Sequence, residues 1–242
     1  MLFMVMHKVD AKMEAGGKPD PRIISGMQKL VGEALQEGRF RNGAGLKRSA
    51  ERVRLRFKAG KREVTRGPYQ GDNELLAGFA MLKVQDMDEA IAWSTRIAEV
   101  EGGDVEFEIG PVVEAWDLGI APKPMGDFPL RVLTLRKGDK HSEAGATPPP
   151  AMMAKMEKLI GEMKEAGVLL ALEGLKPSKT GARLDAKGGK HVWTDGPFLE
   201  SRELVAGFSI IDMDTLADAK KWTERYADIL GDTQVDVREV AG

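Results

Sequence analysis

Three histidines and one aspartate are the side chains of this sequence best suited to proton chemistry. Asp195 stands before Gly196-Pro197, His191 lies four residues upstream, and His7 ends the first apolar run. A carboxylate at the mouth of a cleft can act as a base or orient an imidazole, and histidine carries protons near neutral pH. The competing reading of Asp195 is local, because aspartate starts tight turns by bonding its own backbone and proline fixes the next φ. His141 falls in a polar loop. The three histidines lack the spacing of a metal site, and no Gly-rich phosphate loop is present. Neither a metal nor a cofactor is expected.

These residues belong to a chain written twice. Met27-Gln-Lys-Leu-Val-Gly-Glu33 lies over Met156-Glu-Lys-Leu-Ile-Gly-Glu162, 129 residues apart. The same offset places Gly45-Leu46-Lys47 over Gly174-Leu175-Lys176, Ser49 over Ser178, Gly67-Pro68 over Gly196-Pro197 and Trp93 over Trp222. So long a period means a duplicated domain rather than a solenoid. The copies differ where chemistry is at stake. Arg66 replaces Asp195, Arg136 replaces His7, and Gly71 stands where the second copy has Glu200. The halves are therefore expected to be functionally unequal. Gly78 and Gly207 interrupt apolar strands, which suits a barrel bend or a ligand lying against the backbone.

The elements that must position these residues follow from periodicity. Leu2–His7 and Leu130–Arg136 read as buried strands. Asp20-Pro21 and Thr147-Pro148 open helices that run toward Gly38 and Gly167. Their methionines read as core packing. In Arg52–Phe57 the period of two turns Val53, Leu55 and Phe57 inward and leaves the arginines on a solvated face. Strands over Leu76–Val84 and Val205–Ile211 follow. Next come helices bearing Trp93 and Trp222 as core aromatics, and last strands near Val105–Ile109 and Val235–Val240. The order strand, helix, strands, helix, strand is the split βαβ pattern. The expected fold is α+β: two ferredoxin-like domains, 1–117 and 130–242, joined by a stiff Pro-rich linker over 118–129. Each sheet has helices on one face only, so the two pack sheet to sheet as an intrachain pseudo-dimer.

Composition narrows the function classes. A net charge of −2, from 36 basic and 38 acidic residues, gives no pull toward nucleic acid or anionic membrane. The chain has no cysteine, the opening residues lack a signal peptide's basic region, and no apolar run reaches the ~20 residues that span a bilayer. A cytoplasmic protein is expected.

Lys190-His-Val-Trp-Thr-Asp-Gly-Pro-Phe-Leu-Glu-Ser-Arg-Glu-Leu-Val-Ala-Gly-Phe208 resembles the signature of the YCII-related family, DGPF subgroup, and Gly174-Leu-Lys-Pro-Ser178 resembles a second element of that subgroup. The first copy departs from it, with Arg66 and Tyr69 for the aspartate and phenylalanine. The resemblance implies a dimeric α/β-barrel, here fused into a pseudo-dimer, with a monomeric pseudo-dimer or a homodimer as the expected state. It implies a proposed His–Asp pair, superfamily enzymes acting on small lactones or aromatics, and a genomic link to alternative sigma factors without direct DNA contact. Asp195, His7 and His191 are the catalytic candidates. Arg136, Arg66, Gly196, Phe198, Gly207 and Gly78 are the ligand-binding ones. The leading expectation is a protein that binds a small organic molecule in a regulatory setting. The alternatives are an acid–base enzyme and a protein-interaction module linked to transcription initiation.

Overall fold

A computed structural model describes residues 1–72, 74–198 and 203–241. The first half runs β1 (Leu2–Lys8), α1 (Ala11–Glu14), α2 (Pro21–Gln36), β2 (Phe40–Gly45), β3 (Val53–Lys58), β4 (Lys61–Arg66), β5 (Leu76–Val84), α3 (Met87–Glu101) and β6 (Val105–Pro111). The second repeats that order with β7 (Leu130–Lys137), α4 (Lys140–Ala144), α5 (Pro150–Glu165), β8 (Leu169–Leu175), β9 (Ala182–Lys187), β10 (Lys190–Asp195), β11 (Val205–Asp212), α6 (Leu216–Leu230) and β12 (Thr233–Ala241). Helix α2 starts where its signal lies: the Asp20 carboxylate accepts from Arg22 N at 2.8 Å and Pro21 takes the first turn.

Five strands escape the periodicity reading, among them β9, the second copy's counterpart of β3. β2 carries Gly43 and Gly45 in six residues, and β8 is Leu-Leu-Ala-Leu-Glu-Gly-Leu, which has no β-branched residue. β4 and β10 are the polar outer arms of hairpins with β3 and β9.

The fold is α+β, with two ferredoxin-like units packed sheet to sheet, but neither sheet comes from one repeat. β1 lies between β11 and β12 of the second repeat, and β2 pairs with β11. Reciprocally, β7 lies between β5 and β6, and β8 pairs with β5. Each unit thus takes its first βαβ from one repeat and its second from the other. The linker consequently joins two adjacent antiparallel strands, with Pro111 opposite Val132. It folds back through a turn at 115–120 and a Trp116–Phe128 edge contact rather than extending as a stiff spacer.

Three apolar clusters record the layers. One packs the first unit's sheet on α3 and α5, through Leu82, Ile91, Phe107 and Leu159. Another packs the second unit's sheet on α2 and α6, through Phe3, Leu30, Trp222 and Val237. Between the sheets lie Met4, Met6, Phe79, Met81, Leu133, Leu135, Phe208 and Ile210. The sheets also join at their margins. Leu175 and Gly174 pair with Val240 and Ala241, and Leu46 bridges Val112. The path β2-β11-β1-β12-β8-β5-β7-β6 therefore returns to β2 as an eight-stranded barrel. At that strand number the bore is just wide enough for side chains to fill, and here they fill it.

Candidate functional site

The two sequence elements of the resemblance lock onto each other. Ser178 is buried in the short turn after β8, and its backbone N–H and hydroxyl both donate to Glu143 of α4. The Ser178 hydroxyl also accepts from Phe198 N at 3.2 Å. The first copy repeats every bond with Ser49, Glu14 and Tyr69. Both Gly-Pro peptides are cis, and both glycines lie against this turn. A Cβ on Gly196 would stand 1.8 Å from Ser178 O, and one on Gly67 would stand 1.7 Å from Ser49 O. Gly196 thus allows a close backbone approach. Phe198 is buried with the Arg183 guanidinium 4.7 Å over its ring, as Arg54 lies 4.4 Å over Tyr69.

Arg52 and Arg54 are not on a solvated face, although Arg56 remains partly exposed. Alternation sorts them from Val53 and Leu55 correctly, but Arg54 lies over the Tyr69 ring and beside Glu74. Arg52 is 1 % exposed. It donates to Glu108 at 2.6 Å and to Val205 O at 2.8 Å. Lys137, at the end of β7, bonds Glu74 and lies 3.4 Å from Glu108. Glu108 sits opposite Leu135, so this charged layer caps one end of the apolar bore. Burial pushes the Glu108 carboxyl up, but the Lys137 and Arg52 cations outweigh it and hold the group below the usual range.

The second unit has its own version. Leu55 pairs with Phe107 and Leu184 with Val235, so the offset falls to 128 in the last strand. Asp236 then matches Glu108, and it pairs with Lys8 at 3.1 Å and Arg183 at 2.6 Å. One exchange is reciprocal. Arg52 and Gly110 of the first unit become Gly181 and Arg238 in the second. Arg52 crowds Gly110, and Arg238 crowds Gly181. Each guanidinium binds a carbonyl at one margin of the barrel, Lys47 O or Lys176 O.

Beside the first unit's charged layer opens a cleft of about 200 Å³. Its wall includes Arg56, Asp72, Glu106, Lys137, Gly138 and Asp139.

The candidate catalytic residues do not converge on this cleft or on each other. The Asp195 side chain is 77 % exposed and pairs with Lys220 of α6 at 2.8 Å. Arg66, its counterpart, is exposed and pairs with Asp88 of α3 at 2.6 Å. The sign reversal between the copies is thus matched by a reversal in the helix partner, the behaviour of a surface brace. His191 bonds Asp228 at 2.8 Å rather than Asp195. Glu200 lies outside the described residues.

His7 points to the helix side of its sheet, where its Nδ1 meets the Tyr226 hydroxyl at 2.6 Å. Burial is the main cause that lowers its pKa to about 4. A Cβ on Gly207 would stand 2.9 Å from the Ala44 carbonyl oxygen and 2.6 Å from the His7 ring. Gly78, opposite Arg136, would put a Cβ 2.8 Å from Glu173 O. Arg136 fills the place of His7 with a closed network, bonding Glu101 and Asp139 at 2.8 Å each.

Sequence reasoning missed Lys137 and Glu108, whose signal was charge placed inside apolar strands, and Glu74, which lies just before β5. It also missed Glu173, which faces inward opposite Phe79 and whose carboxyl burial pushes up. Among the described residues no cluster of three or more histidine, aspartate or glutamate side chains is placed to hold a metal. Among the described residues no helix is long and apolar enough to cross a membrane.

The YCII-related domain matches twice, over residues 1–114 and 131–239. No curated protein and no solved structure shows a significant match.

Proposed function

The chain belongs to the YCII-related family, with one family domain in each half, and from that premise we propose that it binds a small zwitterionic organic molecule without converting it chemically. The observation that carries this reading is the cleft beside Lys137, whose wall brings Arg56 and Lys58 together with Asp72, Glu106 and Asp139. Mixed charge around a small opening suits a ligand carrying both signs and disfavours a molecule of one sign. The filled bore and the braced Asp195 and His191 weigh against acid–base turnover. Assignment to the DGPF subgroup and the dimeric α/β-barrel superfamily rests on the Lys190–Phe208 motif. A regulatory setting, with its link to an alternative sigma factor, comes from the same family analogy, and a reducing cytoplasm suits a cysteine-free chain.

One observation favours a second reading, acid–base catalysis: the bond between the Tyr226 hydroxyl and Nδ1 of a His7 imidazole that burial keeps neutral. On that reading His7 rather than Asp195 moves the proton.

Thermal unfolding against glycine betaine and amino-acid zwitterions tests the leading proposal. A ligand of the native state raises Tm with the logarithm of its concentration. The shift should appear in the wild type and in Asp195→Asn. It should fall by roughly tenfold in apparent affinity in Arg56→Ala and Asp72→Asn, the equivalent of about 1.4 kcal/mol. Loss of the shift in Asp195→Asn, with the rim variants unaffected, would move the site to the other unit.

A further inference from the structure

The second unit has a cleft of its own, of about 320 Å³, where the end of α2 meets the start of α6. Trp222 stands in its wall beside Arg39, Met213 and Lys221. Trp222 is 5 % exposed, and its buried indole N–H has no acceptor among the described residues. Buried donors are normally paired, and the first unit shows how this one could have been. There Trp93, the same position in the other copy, donates its indole N–H to Glu89 at 3.4 Å.

Glu89 corresponds to Asp218. The aspartate is one methylene shorter, and its carboxylate is held by the Thr215 hydroxyl at 2.7 Å and by Lys221 at 3.2 Å. The acceptor that closes the first unit's tryptophan is therefore withdrawn in the second. The surroundings change with it. Val168 and Ala92 of the first unit are replaced by Arg39 and Lys221. The carboxylates that hold these cations, Asp214 at 3.0 Å from Arg39 and Asp218, lie at the surface, where an exposed ion pair is cheaply exchanged for another.

We infer that this cleft is a binding site for a small organic carboxylate with an apolar body. One carboxylate oxygen accepts from the Trp222 N–H while Arg39 and Lys221 balance the charge. The apolar part lies against Met213 and the indole, which is itself stacked on Tyr226 at a 5.4 Å centroid distance. Glu37, Asp214 and Asp218 also line the cleft, and they select against polyanions. In the first unit the equivalent donor, Trp93, is already paired with Glu89, and the second unit's cleft is separate from the one beside Lys137.

Benzoate is a sufficient probe. The chain has four tryptophans, so the intact protein gives four indole N–H resonances, and the one missing from Trp222→Phe identifies Trp222. Titration with benzoate should move the Trp222 resonance and leave that of Trp93 in place, with roughly millimolar affinity. Asp218→Glu, which supplies the longer acceptor of the first unit, should keep the fold and weaken benzoate by about tenfold. A Trp222 resonance that does not move, as expected for an N–H satisfied by trapped water alone, would overturn the inference. So would Asp218→Glu titrating like the wild type, or all four resonances moving together.

Discussion

Gly196→Val should lower Tm by roughly 6–12 °C, taking a cost of about 3 kcal/mol and a chain of this length. The new Cβ falls 1.8 Å from the Ser178 carbonyl oxygen and 2.6 Å from its carbon. Those atoms are backbone, in a turn held by Glu143 through two Ser178 donors, so no side chain can swing aside. Gly67→Val meets the same obstacle at Ser49 and should cost a similar amount. Calorimetric unfolding of the single variants measures both. An unchanged Tm in either would mean that the turn is not held against the Gly-Pro segment as described. Because the lock repeats in both copies while Asp195 does not, the conserved part of the motif is read as structural and its aspartate as a surface brace.

Lys137→Met should destabilise by about 3–5 kcal/mol, the usual result of removing one member of a buried ion pair. It leaves Glu74 and Glu108 inside with only Arg54 at 3.4 Å and Arg52 at 2.6 Å as cationic partners. Adding Glu74→Gln should recover part of the loss, since the two positions are in contact and their effects are not additive. The acid limb provides an independent check. Glu108 and Asp236 are both held below the usual carboxylate range by neighbouring cations. Such groups stabilise the fold above their unfolded pKa, and that stability is lost as pH falls through their depressed folded values. Without Lys137 the carboxyl of Glu108 titrates higher, so the variant's deficit should narrow on acidification. Denaturant unfolding at several pH values reads this out, and a deficit that widens in acid would contradict the pairing.

The duplication and the layer order were legible because glycines, the Gly-Pro turns and Trp93/Trp222 hold one register, and because one apolar sheet face demands a cover. The exchange of βαβ halves was not legible. A strand with the pattern of β1 can dock beside β6 or beside β12, since both offer the same apolar face; in the fold it lies between β11 and β12. β2 was hidden by Gly43 and Gly45, and β8 by its leucines. The candidate site was less legible still. Alternation separates Arg52, Arg54 and Arg56 from the core but cannot show that Arg52 and Arg54 are buried against Glu108, Tyr69 and Glu74. Sequence distance also suggested His191 with Asp195, four apart, whereas the β10 strand turns His191 toward Asp228 on α6. The inequality of the halves lies less in Asp195 against Arg66 than in Asp218 against Glu89 and in the exchange of Arg52 and Gly110 for Gly181 and Arg238.

Crystals soaked with the zwitterion that most raises Tm test the central claim most directly. Density is expected in the cleft of the first unit, in contact with Arg56 and Asp72 and close to Lys137, with the apolar bore between Phe79 and Phe208 still filled by protein. Density inside the bore, or against Asp195 and Lys220 on the outer surface, would contradict it.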